Sequence, residues 1–223
     1  MKKRDCVILR LQTPQAMAHI KNIIFDFGNV LIPIDEALTH KAFKALGARN
    51  EIMDQEQIFL DYEVGKTSTK EFLKALQPYF FRKIFLKDIE KAWCALLLEF
   101  PDEHLNLLKK LKKDHSLFLY SNTNAAHIEH VKNEMGPFTY KQFSTQFTSL
   151  YYSQELGMRK PNADGFEHIL KTHDLKAEET LFIDDKKENT QAAEDLGIHV
   201  WNINPETESV LNDLDKVLSE LRS

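Results

Sequence analysis

The residues whose types and spacing can do chemistry are Asp26, Ser121, Lys160 and the adjacent pair Asp184 and Asp185. Brought together, these carboxylates would repel one another unless a cation lay between them. Oxygen donors suit a hard ion, and magnesium is the one expected. Such an ion and the Lys160 ammonium would neutralise a phosphoryl group. Ser121 would donate a hydrogen bond to the same oxygens. The Asn122 backbone N–H, expected at a helix start, would add another. Asp26 is then placed to attack phosphorus as a nucleophile, giving a phosphoaspartate. Thr123 joins Asn122 and Lys160 in the expected substrate-binding set. Singly, each residue has a bland explanation. Asp26 or the Asp184-Asp185 pair could be a simple turn, Ser121 a helix cap and Lys160 solvated surface. Their joint occurrence at strand ends favours one common site.

The elements that must position them alternate. Ile23-Ile24-Phe25 reads as a buried strand ending in Asp26, with Gly28 and Asn29 as turn formers. Leu117 to Tyr120 is a strand ahead of Ser121-Asn122-Thr123-Asn124, and Phe147 to Tyr152 one ahead of Arg159-Lys160-Pro161. Leu181-Phe182-Ile183 leads into Asp184-Asp185, and Ile198 to Trp201 is a further strand. Helices are expected over Ala125 to Met135, Ala163 to His173, Asn189 to Leu196 and Val210 to Leu221. Strands alternating with helices imply a parallel sheet covered on both faces, whose strand ends share one edge.

From Asp35 to Phe100 no strand pattern appears. A stripe of Ala37, Leu38, Phe43 and Leu46 stops at Gly47, and Ile52, Ile58, Phe59 and Tyr62 suggest a second helix stopped by Gly65. Ser68 and Glu71 have capping-box spacing ahead of Phe72, Leu73 and Leu76, with Pro78 beyond. A fourth helix carries Ile89, Trp93, Leu96 and Leu97, and Pro101 opens the next. The segment reads as a helical insertion. Of its aromatic residues, Phe72 and Trp93 are expected in its core.

Composition narrows the classes. The chain has 223 residues, is 43% hydrophobic and carries a formal net charge of -5. That supports a sizeable core, and the lack of a basic block argues against nucleic acid as the main partner. Cys6 and Cys94 cannot make a disulfide framework, which fits a reducing, cytoplasmic setting. No apolar run reaches membrane-span length. Cys6 to Leu11 could be a short edge strand, and Met17 an alternative start.

The order Asp26, Ser121, Lys160, Asp184-Asp185 resembles the motifs of the haloacid dehalogenase superfamily. The match is carried by Phe25-Asp26-Phe27-Gly28-Asn29-Val30, Ser121-Asn122-Thr123, Lys160-Pro161 and Ile183-Asp184-Asp185, and it covers roughly Lys21 to Asn204. The resemblance implies that Asp26 is the nucleophile and that the Gly28 carbonyl and Asp185 are metal ligands. Asp184 and Asn189 would act directly or through water. It implies an α/β fold: a Rossmann-like parallel sheet core of residues 1–33 and 101–223 with an inserted all-helical cap domain of residues 34–100. One departure stands out. Family phosphatases usually carry a second Asp two residues after the nucleophile, as general acid and base, and here that position is Gly28. The Gly variant resembles a branch that includes glucose-1-phosphate phosphatase-like enzymes. The expected function is a magnesium-dependent hydrolase of a small phosphorylated metabolite such as a sugar phosphate, with neither nucleic acid nor membrane as partner. The alternatives are hydrolysis of a 2-haloacid and a catalytically weak phosphoryl-binding module.

Overall fold

The computed structural model describes residues 19–222. The expectations for Cys6 to Leu11 and Met17 lie outside these residues. Strands β1 (Asn22–Phe25), β2 (Ser116–Ser121), β3 (Ser149–Tyr152), β4 (Thr180–Asp184) and β5 (His199–Asn202) form one parallel sheet in the order β3-β2-β1-β4-β5. β3 starts two residues later than the apolar run suggested, because Phe147 is buried in the core ahead of the strand. The chain builds outward from β1 through β2 to β3, then returns to β1's other side for β4 and β5. The reversal lies between β1 and β4, and α/β sheets bind ligands outside the carboxyl ends at such a point.

Side chains alternate across the sheet with the period of two that strands impose. Ile23, Phe25, Leu117, Leu119, Leu181 and Ile183 join one apolar cluster, whereas Ile24, Phe118, Tyr120 and Phe182 join another on the opposite face. Helices α5 (Asp102–Leu111), α6 (Ala125–Ser144) and α10 (Val210–Leu221) contribute to the first, and α8 (Ala163–Thr172) and α9 (Lys187–Glu194) to the second. Gly165 lets α8 approach β2: a Cβ there would stand 1.9 Å from the Tyr120 hydroxyl. The short α7 (Ser153–Leu156) follows β3 directly. The first part of α6 ends at Met135, the stop read from sequence, and a second helical stretch carries on to Ser144. Gly136 breaks the helical backbone at φ 70°, and Pro137 restarts it with the fixed φ that suits a first helical turn.

Residues 36–93 hold α1 (Glu36–Ala45), α2 (Glu56–Glu63), α3 (Thr69–Leu76) and α4 (Leu86–Trp93). Their apolar faces form a third cluster, with Phe43, Tyr62, Phe72, Leu76 and Ile89 at its centre and Ala126 joining from α6. The Ser68 capping box forms as its spacing implied. Ile52 instead sits in a 3-10 turn before α2, and Leu96 and Leu97 follow α4 in a second such turn and an extended exit. The two chain crossings pair with each other: Asp35 N–H donates to the Leu96 carbonyl at 2.8 Å, and Leu98 N–H to the Pro33 carbonyl at 3.1 Å. Cys94 is a buried free thiol, its pKa pushed up to about 12 by burial. Among the described residues no helix is long and apolar enough to cross a membrane.

Candidate active site

Asp26 and Asp184 become neighbours through register. Phe25 pairs with Ile183, so the residues one step further face each other across β1 and β4. The Asp26 N–H continues the ladder to the Ile183 carbonyl at 2.9 Å. Lys160 comes from the segment after α7 and is 1% exposed. Its Nζ lies 2.7 Å from Asp26 Oδ1 and 2.6 Å from Asp184 Oδ2, with the Tyr120 and Phe182 rings 5.5 and 5.3 Å away. Burial alone would lower the Lys160 pKa, but Asp26 and Asp184 outweigh it and raise it. Asp26 is pushed up to about 6, by burial first and by Asp184 next, with Lys160 opposing. The Asn122 side chain fixes the lysine's backbone on both sides, accepting from its N–H at 2.9 Å and donating to its carbonyl at 2.8 Å.

The other carboxylates are aimed by amides. Asp184 accepts from the Lys186 N–H at 2.8 Å and from Asn189 Nδ2 at 3.0 Å. Asp185 Oδ2 accepts from Asn29 Nδ2 at 2.9 Å. Asn29 sits at φ 57°, a left-handed position that asparagine tolerates, and its Oδ1 accepts from the Ile34 N–H at 3.2 Å. The turn around it closes on the Phe27 and Ile32 carbonyls.

Asp26, Asp184 and Asp185 each offer an oxygen within 4.8 Å of the others. Lys160, Asn189 and the Lys186 N–H already engage both oxygens of Asp184, whereas Asp26 and Asp185 each engage a side-chain donor through one oxygen. This all-oxygen set fits a hard divalent ion such as magnesium.

Above the strand ends, a cavity of about 300 Å³ opens between the helical block and the core. Its core wall includes Asn122, Thr123 and Lys186, and its other wall Glu36, Thr39, His40, Glu63 and Trp93. The carboxylates themselves are not part of its lining. Trp93 stacks between Phe59, at 5.3 Å, and His127, at 5.0 Å. Its indole N–H donates to Asn124 Oδ1 at 3.3 Å. His127 is held to about 4 by burial, over the opposing Trp93 carbonyl. The neutral ring can therefore donate from Nε2 to that carbonyl, 3.2 Å away, and accept at Nδ1 from Asn124 Nδ2, 3.1 Å away.

A family model described as haloacid dehalogenase-like hydrolase matches residues 23–203. The chain belongs to that family. The hydrolase is 31% identical over 187 residues to the D-ribitol-5-phosphate phosphatase of Bacteroides thetaiotaomicron, spanning 82% of this chain and 91% of the relative. A magnesium complex of a haloacid dehalogenase family enzyme from the same organism aligns with a TM-score of 0.80 at 31% identity, covering 85% and 96% of the two chains. A family hydrolase structure from Porphyromonas gingivalis aligns at 0.81 and 32% identity, covering 92% and 100%.

The hydrolase's geometry brings together Asp26, Lys160, Asp184 and Asp185, as expected. Ser121 ends β2 on the same edge and is buried. Two expectations change. The helix after β2 starts at Ala125 with Asn124 as its cap, so Asn122 lies in the loop before it. Trp93 is half-buried cavity wall rather than core, whereas Phe72 is core. The Thr123 N–H is already engaged by Ser153 Oγ at 2.9 Å, so that residue reaches the cavity only with its remaining groups. Sequence reasoning missed Asn29 as a partner of Asp185, reading it only as a turn former. It also gave no role to Arg159, Ser153 or His127. Only Arg159, beside Lys160, carried a local signal.

Proposed function

We propose that this hydrolase is a magnesium-dependent phosphatase of a small phosphorylated sugar or polyol, acting through a phosphoaspartate at Asp26. The observation that carries the reading is the Lys160 ammonium buried between Asp26 and Asp184, with Asp185 held beside them by Asn29. When bound, magnesium would be held by Asp26, Asp185 and the Gly28 carbonyl, with Asp184 supporting, and would supply positive charge to the phosphoryl group.

Asp26, held through Oδ1 by Lys160, presents its carboxylate for in-line attack on phosphorus. Lys160 and the Ser121 hydroxyl stabilise charge on the phosphoryl oxygens as it develops. Asn122 anchors the lysine, and its own N–H remains for the phosphoryl group. The leaving alcohol occupies the cavity, whose mixed lining offers polar groups such as Glu36, Thr39 and Glu63 to hydroxyls beside the apolar faces of Phe59 and Trp93, and whose volume suits a small sugar. Residues 34–100 act as the cap that excludes water, over a core whose described residues are 19–33 and 101–222. The relative that hydrolyses ribitol 5-phosphate supports this substrate class.

The test is a screen over sugar, polyol and nucleoside phosphates, with magnesium and with chelator. Borohydride trapping would convert an acyl phosphate at Asp26 to homoserine, visible by peptide mass. Asp26→Asn should lose turnover and the trapped product together. Activity surviving in the folded variant would make water the attacking group.

A further inference from the structure

At the C-terminal end of α2 the helical block touches the core through one residue in two ways. Glu63 Oε2 accepts from Arg159 Nε at 2.7 Å, and the Glu63 carbonyl accepts from Ser153 Oγ at 2.6 Å. The backbones are pressed together here. Gly65 has φ 72°, and a Cβ on it would lie 2.1 Å from the Gln154 carbonyl oxygen. Thr67 Oγ1 and Gln154 Oε1, from the two sides of this seam, are buried without a hydrogen-bond partner.

Arg159 immediately precedes Lys160, whose backbone Asn122 fixes to the core. The segment is thus anchored to the core at Lys160 and to the helical block at Arg159. We propose that Glu63 is a positioning residue: through Arg159 it ties the seating of the helical block to the placement of the Lys160 ammonium. This rests on the phosphatase reading above. The side chains of Glu63 and Arg159 are 23% and 30% exposed, so the pair contributes little to global stability. Its effect lies in geometry, where small displacements of a catalytic group are costly.

The proposal separates from direct substrate recognition because Lys160 faces the phosphoryl group, which all phosphate monoesters share. Glu63→Gln, Arg159→Gln and the double variant should each lose about tenfold in kcat/KM, by the same factor whatever the alcohol. The double variant should cost no more than either single one, and the urea midpoint should stay at the wild-type value. Binding of inorganic phosphate in magnesium, measured by calorimetry, should weaken in step. Gly65→Ala, which pushes apart the seam that the pair spans while leaving Glu63 and Arg159 chemically intact, should give the same uniform loss. A loss that varies with the alcohol would mean that Glu63 touches substrate and would overturn the proposal. So would additive single effects, or unchanged kcat/KM and phosphate affinity. If the wild type turns over no monoester, the phosphatase reading fails instead, and phosphate binding alone still judges the role of Glu63.

Discussion

Replacing Lys160 by Met keeps the length and apolar stem of the side chain and deletes only the ammonium. Asp26 and Asp184, which lie 2.7 and 2.6 Å from Nζ, would then face each other in a buried site. Removing one partner of a buried ion pair typically costs about 3–5 kcal/mol. Part of that cost can be relieved by a proton. Asp26 already stands at about 6 with the lysine present, and losing the ammonium pushes it further up. A folded acid whose pKa lies above its unfolded value loses stability as pH rises towards the folded value. The variant should therefore be close to wild type near pH 5, and short of it by up to about 2.7 kcal/mol at pH 8, which lies two pH units above the wild-type value at about 1.36 kcal/mol per unit. Urea titrations in chelator at both pH values measure this. Loss of the positive charge on the phosphoryl group should also cut kcat/KM by at least about 10²–10³. A deficit below about 1 kcal/mol at pH 8 would mean that the carboxylates do not depend on the ammonium. An equal deficit at both pH values would assign it to packing.

Three further outcomes are expected. Without a carboxyl at Gly28, activated aryl phosphates should turn over well and simple alkyl phosphates poorly. Gly28→Asp should narrow that gap, within the roughly 10²–10⁴ range of a positioned acid. The substitution is sterically testable, because Gly28 lies outside the left-handed region and its Cβ would first meet the Ile34 side chain, at 3.3 Å; a flat dependence on leaving group in the wild type would show that an acid is already in place. Asn29→Ala leaves Asp185 without its amide partner, so the magnesium concentration for half-activity should rise about 10- to 100-fold; an unchanged metal titration would remove Asn29 from the site. His127 is neutral in the fold down to about 4, against an ordinary 6.5, so its contribution is harmless above pH 6.5 and destabilises progressively as pH falls, by on the order of 3 kcal/mol below pH 4. His127→Gln should flatten stability across that window, and a wild-type-to-variant difference that is the same at pH 7 and 4.5 would refute the assignment.

Strand ends and cap signals are local, and local signals survive in a one-dimensional pattern. Apolar runs that stop at Asp26, Ser121 and Asp184 mark both the strands and the sheet edge that their side chains share. The capping box at Ser68 and the break at Gly136 follow from the same backbone chemistry. The helical block was legible as an insertion because sixty-odd residues without a period-two pattern cannot enter a sheet.

Other features depend on contacts between residues far apart in sequence. The order β2-β1-β4 sets Asp26 beside Asp184, and no local pattern encodes which strand lies next to which. Lys160 is a candidate by residue type and by its place after β3, yet its local sequence fits solvated surface equally well. Only packing among Asp26, Asp184, Tyr120 and Phe182 makes it a buried cation. Likewise Asn29 reads as a turn residue until Asp185 arrives at its amide. Trp93 reads as core until α6 supplies Asn124 and His127. Residue types and local spacing determined the elements and the candidate chemistry of this protein, because hydrophobic period, caps and turns act over a few residues. The tertiary structure decided which of those groups share a desolvated space, because burial and charge pairing depend on through-space distance rather than on separation along the chain.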